Sequence, residues 1–391
     1  MAAGTRGFAL MMALGCPHTA AVDVPDFGFE WATIRSVGNR PTAPNEVVMR
    51  AAVLDEEFVE IGAVDYLYRI AITEVSVTQW LEFVAAYRPF YAELNGVDFV
   101  VDSSFTGPCI SAFFPTPTVR GICSPLQPTE VTWEYAARYC NWLHNGKANE
   151  AWAFETGAYD TSTFVVNADG QGEHQVARSP GARFWIPSLD EWVKAAYFDP
   201  DRYGSGRPGY WAYPDGSNSR PIAGLSPASG GERNAGSSSF FPTATGTFTE
   251  VRSPWGLLDC AGGVREHLED VAPESEPLWG TRLRLNNGTH HSEVDQLNLP
   301  NGDRLDFWAS QPADRLFIEG LRIASVAPCP ADLAAPTGVL DVADAMAFAI
   351  GFQNLDPSTD IADPGGIFDL RDIQQFVLLL TTDCAGQGTG P

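Results

Sequence analysis

The chain has almost no lysine. Lys147 and Lys194 are the two it contains, and the rest of its 24 basic residues are arginine. Against them stand 49 acidic residues, for a formal charge of -25. A surface of that sign repels a phosphate backbone, so a nucleic-acid partner is not expected. No apolar run reaches the roughly 18 residues that a membrane-spanning helix needs, so no transmembrane segment is expected either. Cys-x-x-Cys pairs are missing, which argues against a thiolate zinc site. Glycine and proline are plentiful, at 37 and 29 residues, a composition for loops rather than for a helical bundle. With 45% hydrophobic and 12% aromatic residues the chain can still bury a core, and global disorder is excluded.

Residues 1–21 read as a signal peptide. Arg6 precedes an apolar stretch over residues 8–14, and small residues follow at Thr19, Ala20 and Ala21. Cys16, in LMMALGC, leaves lipoprotein-type processing open beside ordinary cleavage. Export to an oxidising compartment permits disulfides between Cys109 and Cys123, 14 residues apart, and between Cys329 and Cys384, which bracket the last segment. Cys140 and Cys260 read as buried thiols.

Alternating apolar residues in WATI and YLYRIAI predict strands. In SVTQWLEFVAAY, Ser76 and Gln79 form a capping box, and Trp80, Phe83, Val84 and Tyr87 share one helical face. A second helix is expected after Thr132, with Ala136, Cys140 and Leu143 on its apolar side. A third follows the capping box of Ser188 and Glu191. Residues 199–250 hold no convincing helix, yet Tyr210, Trp211, Tyr213 and Phe240 suggest loops packed on a core. The last segment differs: nine aspartates stand against one arginine, with no glutamate, from residue 327 onward. ADLAAPTGVLDVADAMAF at 331–348 is repeated as TDIADPGGIFDLRDIQQF at 359–376, each an Asp-rich loop running into a short helix. In the second helix Ile373, Phe376, Val377 and Leu380 form the expected buried stripe.

Taken in order, YRIAITEVSVTQWLEF, VTWEYAARYCNWL, RFWIPSLDEWVKAAY, ERNAG, GLLDCAGGVREHLED and GLRIASV resemble the formylglycine-generating enzyme (sulfatase-modifying factor) superfamily over residues 28–326. The resemblance implies an α+β, C-type-lectin-like fold with little regular secondary structure. Residues 327–386 resemble the dockerin-like, EF-hand-related repeats of secreted planctomycete-type proteins. That implies a small α-helical EF-hand-like pair at the C-terminus, a docking partner for it, and a secreted or cell-surface place in a bacterium.

The enzymes of this superfamily carry two cysteines, separated by four residues, after an R-G-G-S-W-like strand. Such a soft pair takes copper and activates oxygen. Here the corresponding stretch is LRLNNGTHHSEVDQL, and Ser292 and Leu297 fall at the cysteine positions. The expectation is therefore a protein lacking the catalytic cysteine pair, without copper, that is not an enzyme. It would be a binding or structural module for an unidentified protein or glycan, with a ligand groove flanked by Trp255, His290, His291 and Trp308. The alternatives are a formylglycine-generating oxidase acting on a sulfatase cysteine, or a divergent metal-dependent oxygenase. The resemblance also implies calcium. Glu266 and Asn234 match positions of the main-domain sites, although Gly263 stands where the family has asparagine. In the tail the candidate ligands are Asp360, Asp363, Asp369 and Asp372. A metal-free loop–helix hairpin held by apolar packing and a disulfide stands against them.

Overall fold

Three helices carry the centre of the main domain, and each begins where the sequence places it. The computed structural model describes residues 24–47, 60–96, 103–111, 116–166, 172–233, 243–271, 283–287, 303–305, 309–312, 319–335, 340–362 and 366–382. The expected signal peptide lies outside these residues, as do Cys384 and Phe240. The first helix, Val77–Tyr87, opens on a complete capping box: the Gln79 amide donates to the Ser76 hydroxyl and the Ser76 amide to Gln79 Oε1, at 3.3 and 2.9 Å. These bonds satisfy donors that a helix start leaves orphaned. Its face of Trp80, Phe83, Val84 and Tyr87 is wholly buried. The second helix, Trp133–His144, starts at Thr132 in extended conformation, but the threonine side chain makes no capping bond. Ten of the eleven residues from Trp133 to Leu143 are buried, all but Glu134, so this helix runs through the interior. The third, Leu189–Tyr197, has its Ser188–Glu191 box at 3.2 and 2.8 Å.

Rings from all sides meet at Phe83. Trp80, Tyr139, Trp142 and Phe154 have their centroids 4.7, 5.4, 5.8 and 5.9 Å from it, in tilted or edge-on poses that suit aromatic quadrupoles. Two four-stranded sheets flank this core. In the first, Trp31–Ile34, Tyr68–Ala71, Ala324–Val326 and Phe184–Trp185 lie side by side and antiparallel. Strands from the start and end of the domain are thus direct neighbours, with Ala324 opposite Ile70. In the second, the order is Ala309–Pro312, Leu283–Asn287, Arg265–Val271 and Glu319–Gly320, the last pair parallel. The mixed α+β character expected from the sequence is present; among the described residues the strands form no single closed lectin-type sheet.

The loop-rich stretch after residue 199 is packed, as its aromatics suggest. Tyr210 and Tyr213 are buried and Trp211 is half-buried. Side chains supplement the short ladder of Phe198–Asp199 with Gly209–Tyr210 there: Glu46 accepts from the Ala43 and Tyr210 amides and from Arg40 and Arg202. One of the two lysines is fully buried, Lys194, with its Nζ donating to the Ser36 and Val64 carbonyls.

The tail has its own apolar cluster, separate from the main core. Helices Val342–Gln353 and Leu370–Thr382 meet through Phe348 and Phe376, stacked at 4.1 Å. The expected stripe is only half right. Phe376 is buried, but Ile373 and Val377 are 38% and 51% exposed, and Leu379 takes the inner place. The repeat is faithful at its loops. Asp344 accepts from the amides of Leu333, Ala334 and Asp341, and Asp372, 28 residues on, accepts from Ile361, Ala362 and Asp369, all at 2.8–2.9 Å. No helix among the described residues is long and apolar enough to cross a membrane.

Candidate functional site

Two cysteines of the main domain are joined. A two-residue ladder between Ile110–Ser111 and Thr118–Val119 draws the chain back on itself. The Arg120 amide donates to the Cys109 carbonyl at 2.8 Å and the Cys123 amide to the Arg120 carbonyl at 3.0 Å. That turn brings the sulfurs together in a disulfide, S–S 2.12 Å, with α-carbons 5.6 Å apart. Cys109 is 4% exposed, whereas Cys123 is half-buried in a loop whose other residues from 121 to 126 face solvent. Gln127, itself buried, accepts from the Ser124 amide through Oε1 and donates from Nε2 to the Cys109 sulfur at 3.0 Å.

The expected Cys109–Cys123 bridge is present, and it corrects the expectation, drawn from Ser292 and Leu297, that the domain lacks the catalytic cysteine pair and is a binding module rather than an enzyme. The physical reason is that the family's cysteines are separated by four residues, whereas the pair found here is 14 residues apart and closed by a hairpin. Ser292 and Leu297 lie outside the described residues, and so do His290, His291 and Trp308 of the expected groove. Trp255 is half-buried against the core. Cys140 and Cys260 are free and buried, and burial pushes both thiols up, so neither offers a thiolate. Cys329 is disulfide-bonded.

Glu266, expected as a calcium ligand, sits at the centre of a buried charge cluster. Arg322 reaches both its oxygens, at 2.9 and 2.8 Å, and also donates to the carbonyls of Ala71, Ile72 and Leu258. The indole N–H of Trp192 donates to the same carboxylate. Gly263 is held in the left-handed region at φ 66°, and a β-carbon there would stand 2.1 Å from Glu74 Oε1. The glycine is thus required where Glu74 comes in to accept from the Val264 amide. Burial, then repulsion by Asp259 and Glu266, pushes the Glu74 carboxyl well up. Asn234 lies outside the described residues. His267 is buried, its Nε2 2.7 Å from the Val131 carbonyl oxygen.

A cleft of about 790 Å³ opens elsewhere, at the start of the third helix. Asn39, Asp65, Tyr66, Arg178, Asp190 and Glu269 are among its lining. Arg178 is the hub: it donates to Glu269 and Glu191, each at 3.1 Å, and to the Tyr66 hydroxyl at 2.9 Å, and stacks over Trp185. Burial works against its charge, but Glu191 and Glu269 more than offset this and hold it charged. Burial pushes Glu269 up to about 7 against the pull of Arg178, and Asp190 up to about 6. No single sequence motif gathers these residues, so the sequence reading missed them; the one signal was Glu191, legible as a capping acid.

In the tail, Asp372 is engaged by three amides, as above, and Asp369 caps the helix, accepting from the Arg371 amide at 2.8 Å. Asp360 is buried; one oxygen accepts from the Gly366 amide and the other has no hydrogen-bond partner. Its carbonyl takes a bond from Arg35 of the main domain at 3.0 Å. Asp363 lies outside the described residues. Among the described residues no three His, Cys, Asp or Glu side chains converge as a metal site.

Comparison with known proteins adds the following. Residues 49–324 match the model of the sulfatase-modifying factor enzyme 1-like domain. No curated protein matches. Among solved structures, Treponema denticola variable protein 1 is 17% identical with a TM-score of 0.45, over 76% of this chain and 95% of that one. CarF is 17% identical at 0.44, over 77% and 99%. PvdO from Pseudomonas aeruginosa is 16% identical at 0.44, over 80% and 100%.

Proposed function

The chain belongs to the sulfatase-modifying factor enzyme 1-like family, and on that premise we propose that it is an oxidase of the formylglycine-generating kind, acting on a cysteine of a sulfatase-type partner. The observation that carries the reading is the Cys109–Cys123 pair within the family domain. Converting a substrate –CH2–SH group to –CHO with dioxygen removes two electrons from the substrate and releases hydrogen sulfide. Dioxygen takes four electrons, so two more must be supplied if its second oxygen atom is to leave as water. A dithiol at Cys109 and Cys123 supplies them and closes to the disulfide. The balance is substrate thiol, dioxygen and reduced pair in; aldehyde, hydrogen sulfide, water and disulfide out. An external dithiol then reopens the pair.

In its reduced form the pair is a set of two soft donors and would hold a copper(I) ion, which supplies dioxygen activation when bound. The chain's own part is to hold the two sulfurs at one hairpin and to keep one of them dry. Cys123 lies at the surface where a partner's cysteine can approach, and Cys109 lies beneath it beside Gln127.

Disulfides at Cys109–Cys123 and at Cys329 support an oxidising, extracytoplasmic location, and the secreted or cell-surface bacterial origin belongs to this proposal. So do the lectin-type core and a dockerin-like tail that takes calcium at its second loop, where one buried oxygen of Asp360 has no hydrogen-bond partner. Calorimetric titration of the whole protein with calcium tests the tail; an Asp360→Ala variant with unchanged heat would overturn it.

The oxidase reading is tested with a peptide carrying a Cys-x-Pro-x-Arg core, incubated with the protein, copper, air and a dithiol. The expected result is a peptide whose mass corresponds to replacement of –CH2–SH by –CHO. The Cys109→Ser/Cys123→Ser double variant should lose this conversion with an unchanged circular dichroism spectrum. No conversion by the native protein, or full conversion by the double variant, would overturn the reading.

A further inference from the structure

A second cleft differs from the one at the third helix in the sign of its lining. It is a groove of about 410 Å³ where the main domain meets the tail. Arg35 and Leu67 stand on the main-domain side, and Ile361, Arg371, Gln375 and Leu379 on the tail side. No aspartate or glutamate lines it, in a chain that carries 49 of them. Asp65, Asp190, Glu269 and Asp270 all line the other cleft. Arg35 is half-buried, and Nη1 donates to the Asp360 carbonyl at 3.0 Å. That partner is neutral, so no carboxylate among the described residues compensates the Arg35 charge. Arg371 meets Asp369 in a surface pair of 44% and 37% exposed side chains, the kind that water screens. The side-chain amides of Gln374 and Gln375 make no hydrogen bond among the described residues. Leu67, Ile361 and Leu379 are buried, and the lining holds no aromatic ring.

We propose that this groove binds the carboxylate of an aliphatic chain, with the charged end on Arg35 and the chain along Leu67, Ile361 and Leu379. One uncompensated guanidinium balances one negative charge. With Nη1 taken, Nε and Nη2 remain in the plane of the fork to bond a carboxylate, and the two glutamine amides add donors. The aliphatic wall offers a flexible chain its contacts but gives a planar ring nothing to stack on. The volume is that of a small-molecule site. Elsewhere the charge of -25 repels an anion, so binding is confined to the groove. A ligand held by Arg35 on one side and Gln375 on the other ties the tail to the main domain. No residue of the groove belongs to the Cys109–Cys123 hairpin, so failure of the oxidase reading would leave it untouched.

The test is calorimetric titration of the full chain with decanoate, which is expected to saturate a single site. Acetate carries the same head without the chain, and decyltrimethylammonium carries the chain with the opposite charge. Each should bind at least about tenfold more weakly. Arg35→Gln loses a charge-assisted hydrogen bond and should weaken decanoate about tenfold. That variant also removes the bond to the Asp360 carbonyl, so a second one separates charge from tail docking. Gln375→Glu keeps the shape, breaks no hydrogen bond among the described residues and sets a like charge beside the ligand; a comparable loss is expected, with an unchanged circular dichroism spectrum. No saturable site for decanoate, equally tight binding of acetate or of decyltrimethylammonium, or unchanged affinity in Gln375→Glu would overturn the proposal.

Discussion

Four buried carboxylates of the main domain each meet an arginine, whereas two in the tail meet only backbone amides. Glu266 pairs with Arg322 and Glu269 with Arg178, partners 56 and 91 residues away in sequence. Asp303 pairs with Arg233 and Glu319 with Arg265, at 3.0 and 3.2 Å. The tail's Asp344 and Asp372 are instead held by amides ten and eleven residues back in their own loops. The difference follows from regularity. A fold with short strands leaves many carbonyls and carboxylates inside, and a guanidinium can serve both at once, as Arg322 does. A repeat of 28 residues closes its loops on Asp344 and Asp372 through local amides, without an arginine from a distant segment. The main domain's charges therefore fix which distant segments meet, and the tail's fix the shape of one loop.

If this contrast holds, its largest consequence is at Arg322. Arg322→Met leaves Glu266 buried without its cation and three carbonyls without a donor, and should cost about 3–5 kcal/mol in urea unfolding of the whole protein. A loss under about 1 kcal/mol would break the distinction. The next effect is in pH. The folded-state carboxyl of Glu269 is raised to about 7, above its unfolded value of about 4.3, so the unfolded chain binds fewer protons between the two. Stability is then fullest at the acidic end of that window and falls as pH rises toward about 7. Glu269→Gln should reduce the fall by about 1–3 kcal/mol, and Asp190, raised in the same direction, should retain a smaller share. Stability that rises across this window in the native protein would contradict the assignment.

The sequence disclosed what is local. Both capping boxes lie within four residues, and the tail repeat declares itself by its period, so these survive in the structure to the hydrogen bond. Periodicity also found the stripe of the last helix, but not which edge of it is covered. That is decided by Phe348 on another helix, and it leaves Ile373 and Val377 outside. The spacing of Cys109 and Cys123 was legible as a bridge. Its bearing on function was not, because a bridge across 14 residues carries no local mark that separates a reactive pair from a purely structural one. The cleft around Arg178 could not be read at all: Asn39, Tyr66, Asp190 and Glu269 come from separate segments that only the folded chain brings together.

Smaller effects sharpen the tail's side of the contrast. Asp344→Ala and Asp372→Ala each release three amides and should cost about 1–2 kcal/mol. Because the partners are local, the cost should appear as faster hydrogen exchange at Leu333 and Ala334 in one variant and at Ile361 and Ala362 in the other, with main-domain unfolding unchanged. Equal destabilisation of the main core by either variant would show that the tail's carboxylates also carry long-range structure.

The smallest effect separates buried from exposed pairing within the main domain itself. Lys147 meets Glu82 at 2.6 Å, but Glu82 is more than half exposed. Its charge is screened by water, and two long side chains must be ordered to make the contact, so Glu82→Gln should change stability by no more than about 0.5 kcal/mol. Lys147 also lies 5.1 Å from the rings of Phe27 and Trp142, contacts that the variant leaves in place. Thermal unfolding of Glu82→Gln beside Arg322→Met therefore compares the same kind of ion pair at the surface and in the core. Only if the two variants lost similar stability would burial cease to be what gives the main domain's arginines their weight.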